Sequence, residues 1–293
     1  MSEPLGQIEE EIQRARREGG GSALRRALAR GLRRLRALDP PGARAVVADD
    51  EELNRLLAGG AGPAELAARL GELAAARRCL GCGTCCRASS PTLYLEDREL
   101  VGPGGLEFEM LYTLRAGELG YSARLGRSLV IEQDLLKLRE RPGAGCILLA
   151  GNRCTRYQSR PLQCRWLRCW EERHAGQLEG RPRLDRRLLL ADDPTALALM
   201  DEYDAKLPAA ELARLFTAAA AGDRQAAGQA LALVELDHRL RAAVGERYGY
   251  GPERLLLMWG RPALEVARGH GLALELDAAG EPRLVPRGVG GRK

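Results

Sequence analysis

The chain has 293 residues, with 45 Lys plus Arg against 40 Asp plus Glu and a formal net charge of +5. That length can bury a real core in one large domain or two modest ones, and so small a net charge is diffuse rather than a patch and points away from nucleic acid. Aromatic content is only 4%, so aliphatic residues and alanine must fill the core, and lysine occurs only at Lys137, Lys206 and Lys293.

Two absences bound the compartment. The opening Met-Ser-Glu-Pro-Leu-Gly-Gln lacks the basic and apolar regions of a signal peptide. No run of about 18 apolar residues is present to span a membrane. The expectation is a soluble cytoplasmic protein whose thiols stay reduced, which weighs against a disulfide framework.

Residues 1–78 read as helical. Leu24, Leu28, Leu32 and Leu35 share one helical face, with Ser22 as the expected N-cap. The opposite face carries Arg25, Arg26, Arg30, Arg33, Arg34 and Arg36, read as a solvated surface. Asp39-Pro40-Pro41-Gly42 reads as the turn that ends this helix. Another helix is expected from Pro63, with Leu66, Leu70 and Leu73 as its buried stripe.

Residues 79–184 form the cysteine-bearing segment. Cys79, Cys82, Cys85 and Cys86 give the spacing C-x2-C-x2-C-C, and Cys146, Cys154, Cys164 and Cys169 form a second group. The chain has no other cysteine. Gaps of two residues let neighbouring thiolates fold around one centre, and zinc sites and iron–sulfur clusters both take four thiolates. The three evenly spaced thiols lean towards iron–sulfur, although Arg87 rather than proline follows the vicinal pair. The vicinal thiols Cys85 and Cys86 are expected to point apart, one to each group. His174 is a further candidate nitrogen ligand. Arg77, Arg78, Arg87, Arg153, Arg156, Arg160, Arg165 and Arg168 crowd the segment and can offset thiolate charge. Between the groups, 92–95 and 129–131 read as short strands and 102–105 as a turn.

Residues 185–293 contain no cysteine. Asp193-Pro194, Pro208 and Pro252 read as helix starts, and a long helix is expected over 224–244. Residues 272–276 and 283–285 read as a hairpin, followed by a frayed tail at 288–293.

The pattern Cys146…Cys154-Thr-Arg-Tyr157-Gln-Ser-Arg160-Pro161-Leu-Gln-Cys164-Arg165, taken with Gly83 and the first four cysteines, resembles the YkgJ-type cysteine-cluster family, described as zinc- or iron-chelating. The likeness covers roughly residues 79–170. It implies metal chelation by the cysteines and no specific reaction. Cys169 lies beyond the family's core cysteines, and the insertion between the two half-motifs is long. The flagellin lysine-N-methylases carry a similar cluster, but no S-adenosylmethionine loop is evident here.

The expected fold is therefore mainly α with a few short strands. A metal-organised cysteine-cluster domain at 79–184 would be flanked by helical segments at 1–78 and 185–293. The expected function is binding of zinc or iron, with an iron–sulfur cluster slightly favoured and a protein partner allowed. An iron–sulfur enzyme of redox or group transfer and a zinc-stabilised nucleic-acid-binding module are the alternatives.

Overall fold

The computed structural model describes residues 3–122, 127–170, 178 and 180–287. His174 and the 288–293 tail lie outside the described residues. In chain order, the helices α1 (Glu3–Arg17), α2 (Gly21–Leu35), α3 (Pro40–Asp49), α4 (Glu51–Ala58), α5 (Pro63–Ala75) and α6 (Thr84–Ala88) come first. The short strands β1 (Leu111–Leu114), β2 (Leu119–Ser122), β3 (Arg127–Val130), β4 (Leu135–Leu138), β5 (Glu140–Arg141), β6 (Gly145–Cys146), β7 (Leu149–Ala150) and β8 (Arg153–Cys154) follow. The helices α7 (Leu162–Trp166), α8 (Arg186–Leu189), α9 (Pro194–Lys206), α10 (Ala209–Ala220), α11 (Arg224–Tyr248), α12 (Pro252–Trp259) and α13 (Ala263–Gly269) lead to a hairpin of β9 (Leu272–Leu276) and β10 (Pro282–Pro286). Among the described residues every sheet is a two-stranded ladder, so the fold is mainly α with a few short strands.

The chain forms two compact units. The first gathers Met1–Ser90, Glu140–Arg160 and Cys164–Glu179, and so contains all eight cysteines. The second gathers Pro91–Arg139, Pro161–Gln163 and Gly180–Lys293.

The core of the first unit is helical. Ile8 and Ile12 of α1, Leu28 and Leu32 of α2, and Leu66 and Leu70 of α5 are all fully buried in one cluster. Each such aliphatic side chain contributes about 1.5–3 kcal/mol relative to exposure. Gly31 is what lets α1 and α5 close on α2: a Cβ there would lie 2.9 Å from Ile8 and 3.2 Å from Leu70. Cys82 belongs to the same cluster, so the first cysteine motif is anchored in the helical core.

Three local readings of this region differ from the structure. Ser22 does not cap α2; Gly20, at φ +105° where only glycine sits easily, starts the helix earlier. The Asp39-Pro40-Pro41-Gly42 segment opens a helix rather than only ending one. Asp39 accepts from the Gly42 N–H and Pro40 occupies the first turn of α3. Arg36 is buried rather than solvated, because α2 stops at Leu35 and Arg36 takes an extended conformation (φ −147°) that turns it off the arginine face.

In the second unit, β1 pairs with β4 and β2 with β3, both antiparallel. Residues 92–95 do not form a strand. Thr92 and Tyr94 make single bridges, and a 3-10 turn begins at Leu95, where Asp97 accepts from the Tyr94 N–H. The starts of α9 and α12, and the β9–β10 hairpin, fall where proline and alternation place them. The long helix runs past Val244 to Tyr248 and ends on Gly249 at φ +68°. Tyr203 of α9 and Trp259 of α12 stack face to face, ring centroids 4.4 Å apart.

Candidate metal centre

Cys79 and Cys82 follow directly from the end of α5. The backbone between them turns through Gly81 (φ +68°), whose N–H donates to the Cys79 sulfur at 3.4 Å. A backbone N–H aimed at sulfur stabilises thiolate charge and tunes any metal that thiolate holds. Gly83, at φ +71°, then starts α6. A Cβ at Gly83 would sit 2.7 Å from Arg87 Nη1, 3.0 Å from the Asn152 carbonyl oxygen and 3.2 Å from Leu149. The motif glycine is therefore required both by its dihedral and by the approach of the β7–β8 hairpin.

The β5–β6 hairpin meets the same helix. At Gly145, with φ +81°, a Cβ would fall 2.3 Å from the Cys86 carbonyl oxygen and 2.5 Å from the Arg87 Cα. Cys146 is the next residue, and Cys154 ends β8. Two glycines thus bring the strands of the second cysteine group against the helix of the first. Cys164 rides on α7, which begins immediately after Pro161.

A polar clamp fixes α6 to the helical core. Arg87 Nη2 donates to Asp39 Oδ1 at 2.7 Å and to the Cys82 carbonyl at 2.6 Å, Arg87 Nε pairs with Asp39 Oδ2, and Arg87 Nη1 donates to Asn152 Oδ1 at 2.8 Å. The Thr84 hydroxyl donates to Asp39 Oδ1 at 2.9 Å. Gly42 is pinned beneath, where a Cβ would lie 2.5 Å from Asp39 Oδ1 and 2.7 Å from the Cys82 carbonyl. The hydrogen bond from Arg87 is the main reason the Asp39 carboxyl is held down at about 2.

Two of the thiols stand side by side on α6. Cys85 and Cys86 place their sulfurs 3.9 Å apart rather than pointing away from one another. That separation is close to the ~3.8 Å edge expected for a tetrahedron with Zn–S bonds of about 2.3 Å. Its contact with Cys86, and then burial, push the Cys85 thiol up. Burial pushes Cys164 up as well, followed by the charges of Cys85, Cys146 and Cys154, with Arg160 opposing. Cys169 is exposed and accepts from Arg36 Nη2 at 3.6 Å; burial of its sulfur raises it and Arg36 lowers it. Among the described residues no group of three or more His, Cys, Asp or Glu stands close enough to hold a metal ion.

The other motif residues act beside the sulfurs. The Arg160 guanidinium lies 3.7 Å from the centre of the Tyr157 ring. Burial, and then the neighbouring Cys79, raise the Tyr157 phenol. Tyr157, from the second half-motif, thus stands beside the first thiol. Arg153 is drawn instead to Asp49 at 3.1 Å.

Arg36, which the sequence assigns to the solvated face, has a role here instead. Its guanidinium donates to the carbonyls of Leu73, Ala76 and Arg78 at 3.1–3.3 Å, closing the C-terminal end of α5 just before Cys79. It also lies 5.9 Å from the Trp170 ring centre. Asp39, Asn152 and Gly145 were likewise missed. The Asp-Pro-Pro run was a legible helix-cap signal for Asp39, whereas nothing local marks Asn152.

Residues 78–180 match the family model CxxCxxCC, described as "Putative zinc- or iron-chelating domain". No curated protein and no solved structure matches the chain. No helix among the described residues is long and apolar enough to cross a membrane.

Proposed function

We propose that residues 78–180, the segment of this chain that carries the zinc- or iron-chelating family pattern, hold zinc or iron through thiolates of both cysteine groups. One observation carries the reading: the contacts at Gly83 and Gly145 pack the hairpins bearing Cys146 and Cys154 directly on the helix bearing Cys85 and Cys86. The donor set fits such a centre. The thiols are soft ligands, two sulfurs already stand 3.9 Å apart, and the Gly81 N–H and Arg36 offer donors to thiolate charge.

We take Cys85, Cys146 and Cys154 as the inner set from the packing of the hairpins on α6, with Cys164 beside them because their charges bear on it. Cys79, Cys82 and Cys86 extend it from the same motif, and Cys169 is the outermost candidate, exposed and tied to Arg36. The evenly spaced C-x2-C-x2-C favours an iron–sulfur cluster over zinc. A bound cluster would supply one-electron chemistry, and bound zinc a cross-link between the helical core and the hairpins. Reduced thiols of this kind suit a cytoplasmic protein.

The test is anaerobic purification of the full chain, followed by metal analysis, acid-labile sulfide and a visible spectrum, for wild type and Cys164→Ser. Stoichiometric metal that is lost in the variant is expected. Iron with sulfide and colour identifies a cluster; colourless protein with zinc identifies a structural ion. Metal-free protein with all eight thiols titratable would overturn the proposal.

A further inference from the structure

The second unit carries a groove that the metal centre does not use. It lies between α9, α11 and α12 and has a volume of about 330 Å³, at the lower end of the range of roughly 300–1,000 Å³ typical of small-molecule sites. Its floor is the Tyr203–Trp259 stack, with ring planes only 7° apart. Leu240 and Val244 supply aliphatic walls from α11.

The polar groups around this groove are not equivalent. The Tyr203 hydroxyl is committed to Asp237 Oδ1 at 2.5 Å, and Asp237 also accepts from Arg241 and from the Ala263 N–H. That network holds the floor rigid and leaves the hydroxyl occupied. Trp259 is only 2% exposed, and its indole N–H meets no acceptor among the described residues. At the rim, Glu202 is neutralised by Lys206 at 2.6 Å. Arg247 lies against Tyr248, 5.7 Å from its ring centre, and takes part in none of the ion pairs seen among the described residues.

We propose that this groove binds a small apolar carboxylate, its hydrocarbon or aryl body against the Tyr203–Trp259 stack and its charge at Arg247. The walls select an apolar body and exclude strongly hydrated ligands. The rim selects an anion, because the one acidic group lining it is already paired while the cation is not.

The experiment uses the full chain with its tryptophans labelled with nitrogen-15. The chain has three tryptophans, and the Trp259 indole signal is identified by its loss in Trp259→Phe. Phenylacetate and hexanoate are titrated, with phenylacetamide as the neutral control. Both carboxylates should shift the Trp259 signal saturably while leaving those of Trp166 and Trp170 in place. The amide should bind at least about tenfold more weakly, as should phenylacetate with Arg247→Gln, given the strength of charge-assisted hydrogen bonds. Arg247 is exposed, so this variant keeps its fold, which the unshifted spectrum of the other signals verifies. No saturable shift at millimolar carboxylate, or equal binding of acid and amide, would overturn the proposal. Undiminished binding to Arg247→Gln would do the same.

Discussion

Asp39 and Arg87, 48 positions apart, form the ion pair through which the helical core grips the cysteine helix α6. Asp39 caps α3 with the same carboxylate, and Arg87 uses its remaining donors on the Cys82 carbonyl and on Asn152. One pair therefore joins three parts of the first unit: the α2–α3 junction, the first cysteine motif and the β7–β8 turn. Arg87, and not the proline that follows the last cysteine of a ferredoxin-type run, comes directly after Cys86. Proline has no side-chain donor and could not make this clamp.

Asp39→Ala should cost roughly 2–3 kcal/mol, from the lost cap and the lost charge-assisted hydrogen bonds to a partly buried arginine. Urea unfolding at neutral pH measures it. The metal content of whatever remains folded should also fall, because the Cys82 backbone is no longer held.

The same pair predicts a pH dependence. The Asp39 carboxyl is lowered from 3.8 to about 2, chiefly by Arg87. A depressed carboxyl contributes stability that is complete above its unfolded value and is lost as pH falls through its folded value. The stability gap between wild type and Asp39→Asn should therefore be full above about pH 4 and should close towards about pH 2. Both proteins are compared under chelator and reductant, so that acid release of metal does not contribute. A gap unchanged across that window would remove the assigned role.

Gly145→Ala and Gly143→Ala make a matched pair within one hairpin. Both glycines have positive φ, +81° and +69°. Only at Gly145 would a Cβ strike backbone, 2.3 Å from the Cys86 oxygen; at Gly143 nothing lies within 4 Å. Gly143→Ala should cost about 1 kcal/mol, the dihedral penalty alone. Gly145→Ala should push Cys146 away from α6 and sharply reduce bound metal. Elemental analysis of the two purified variants checks this, and equal metal content would contradict the packing argument.

The elements legible in the sequence are those fixed by neighbours in the chain. The spacing of Leu66, Leu70 and Leu73 describes α5, Pro63 its start, and Asp193-Pro194 the start of α9. The cysteine spacing, and the family resemblance that Tyr157, Arg160 and Pro161 help to carry, locate the candidate centre. Illegible were roles that only tertiary contact creates. Arg36 continues the periodicity of the arginine face, and nothing in that periodicity shows that the helix has already ended and turned it inward. Thr92–Leu95 alternates like a strand, but the Asp97 cap on the Tyr94 N–H diverts the chain into a 3-10 turn. Gly145 looks like any turn glycine until the helix it touches is known.

Tyr157→Phe isolates the contribution of a group beside the sulfurs. The substitution keeps the ring under Arg160 and removes only the hydroxyl, whose titration is influenced by the nearby Cys79. Tyr157 is 40% exposed, so global stability should change by less than about 1 kcal/mol. Metal affinity should nevertheless fall by roughly 10–100-fold, the usual effect of losing a group that supports a ligand. Competition with a chromogenic chelator measures the affinity and thermal unfolding of the metal-free protein measures the stability. Affinity that falls while stability holds would place Tyr157 at the centre as a positioning residue for Cys79. A parallel loss of both would mean that the hydroxyl serves folding, and that Cys79 takes its orientation from the Gly81 N–H alone.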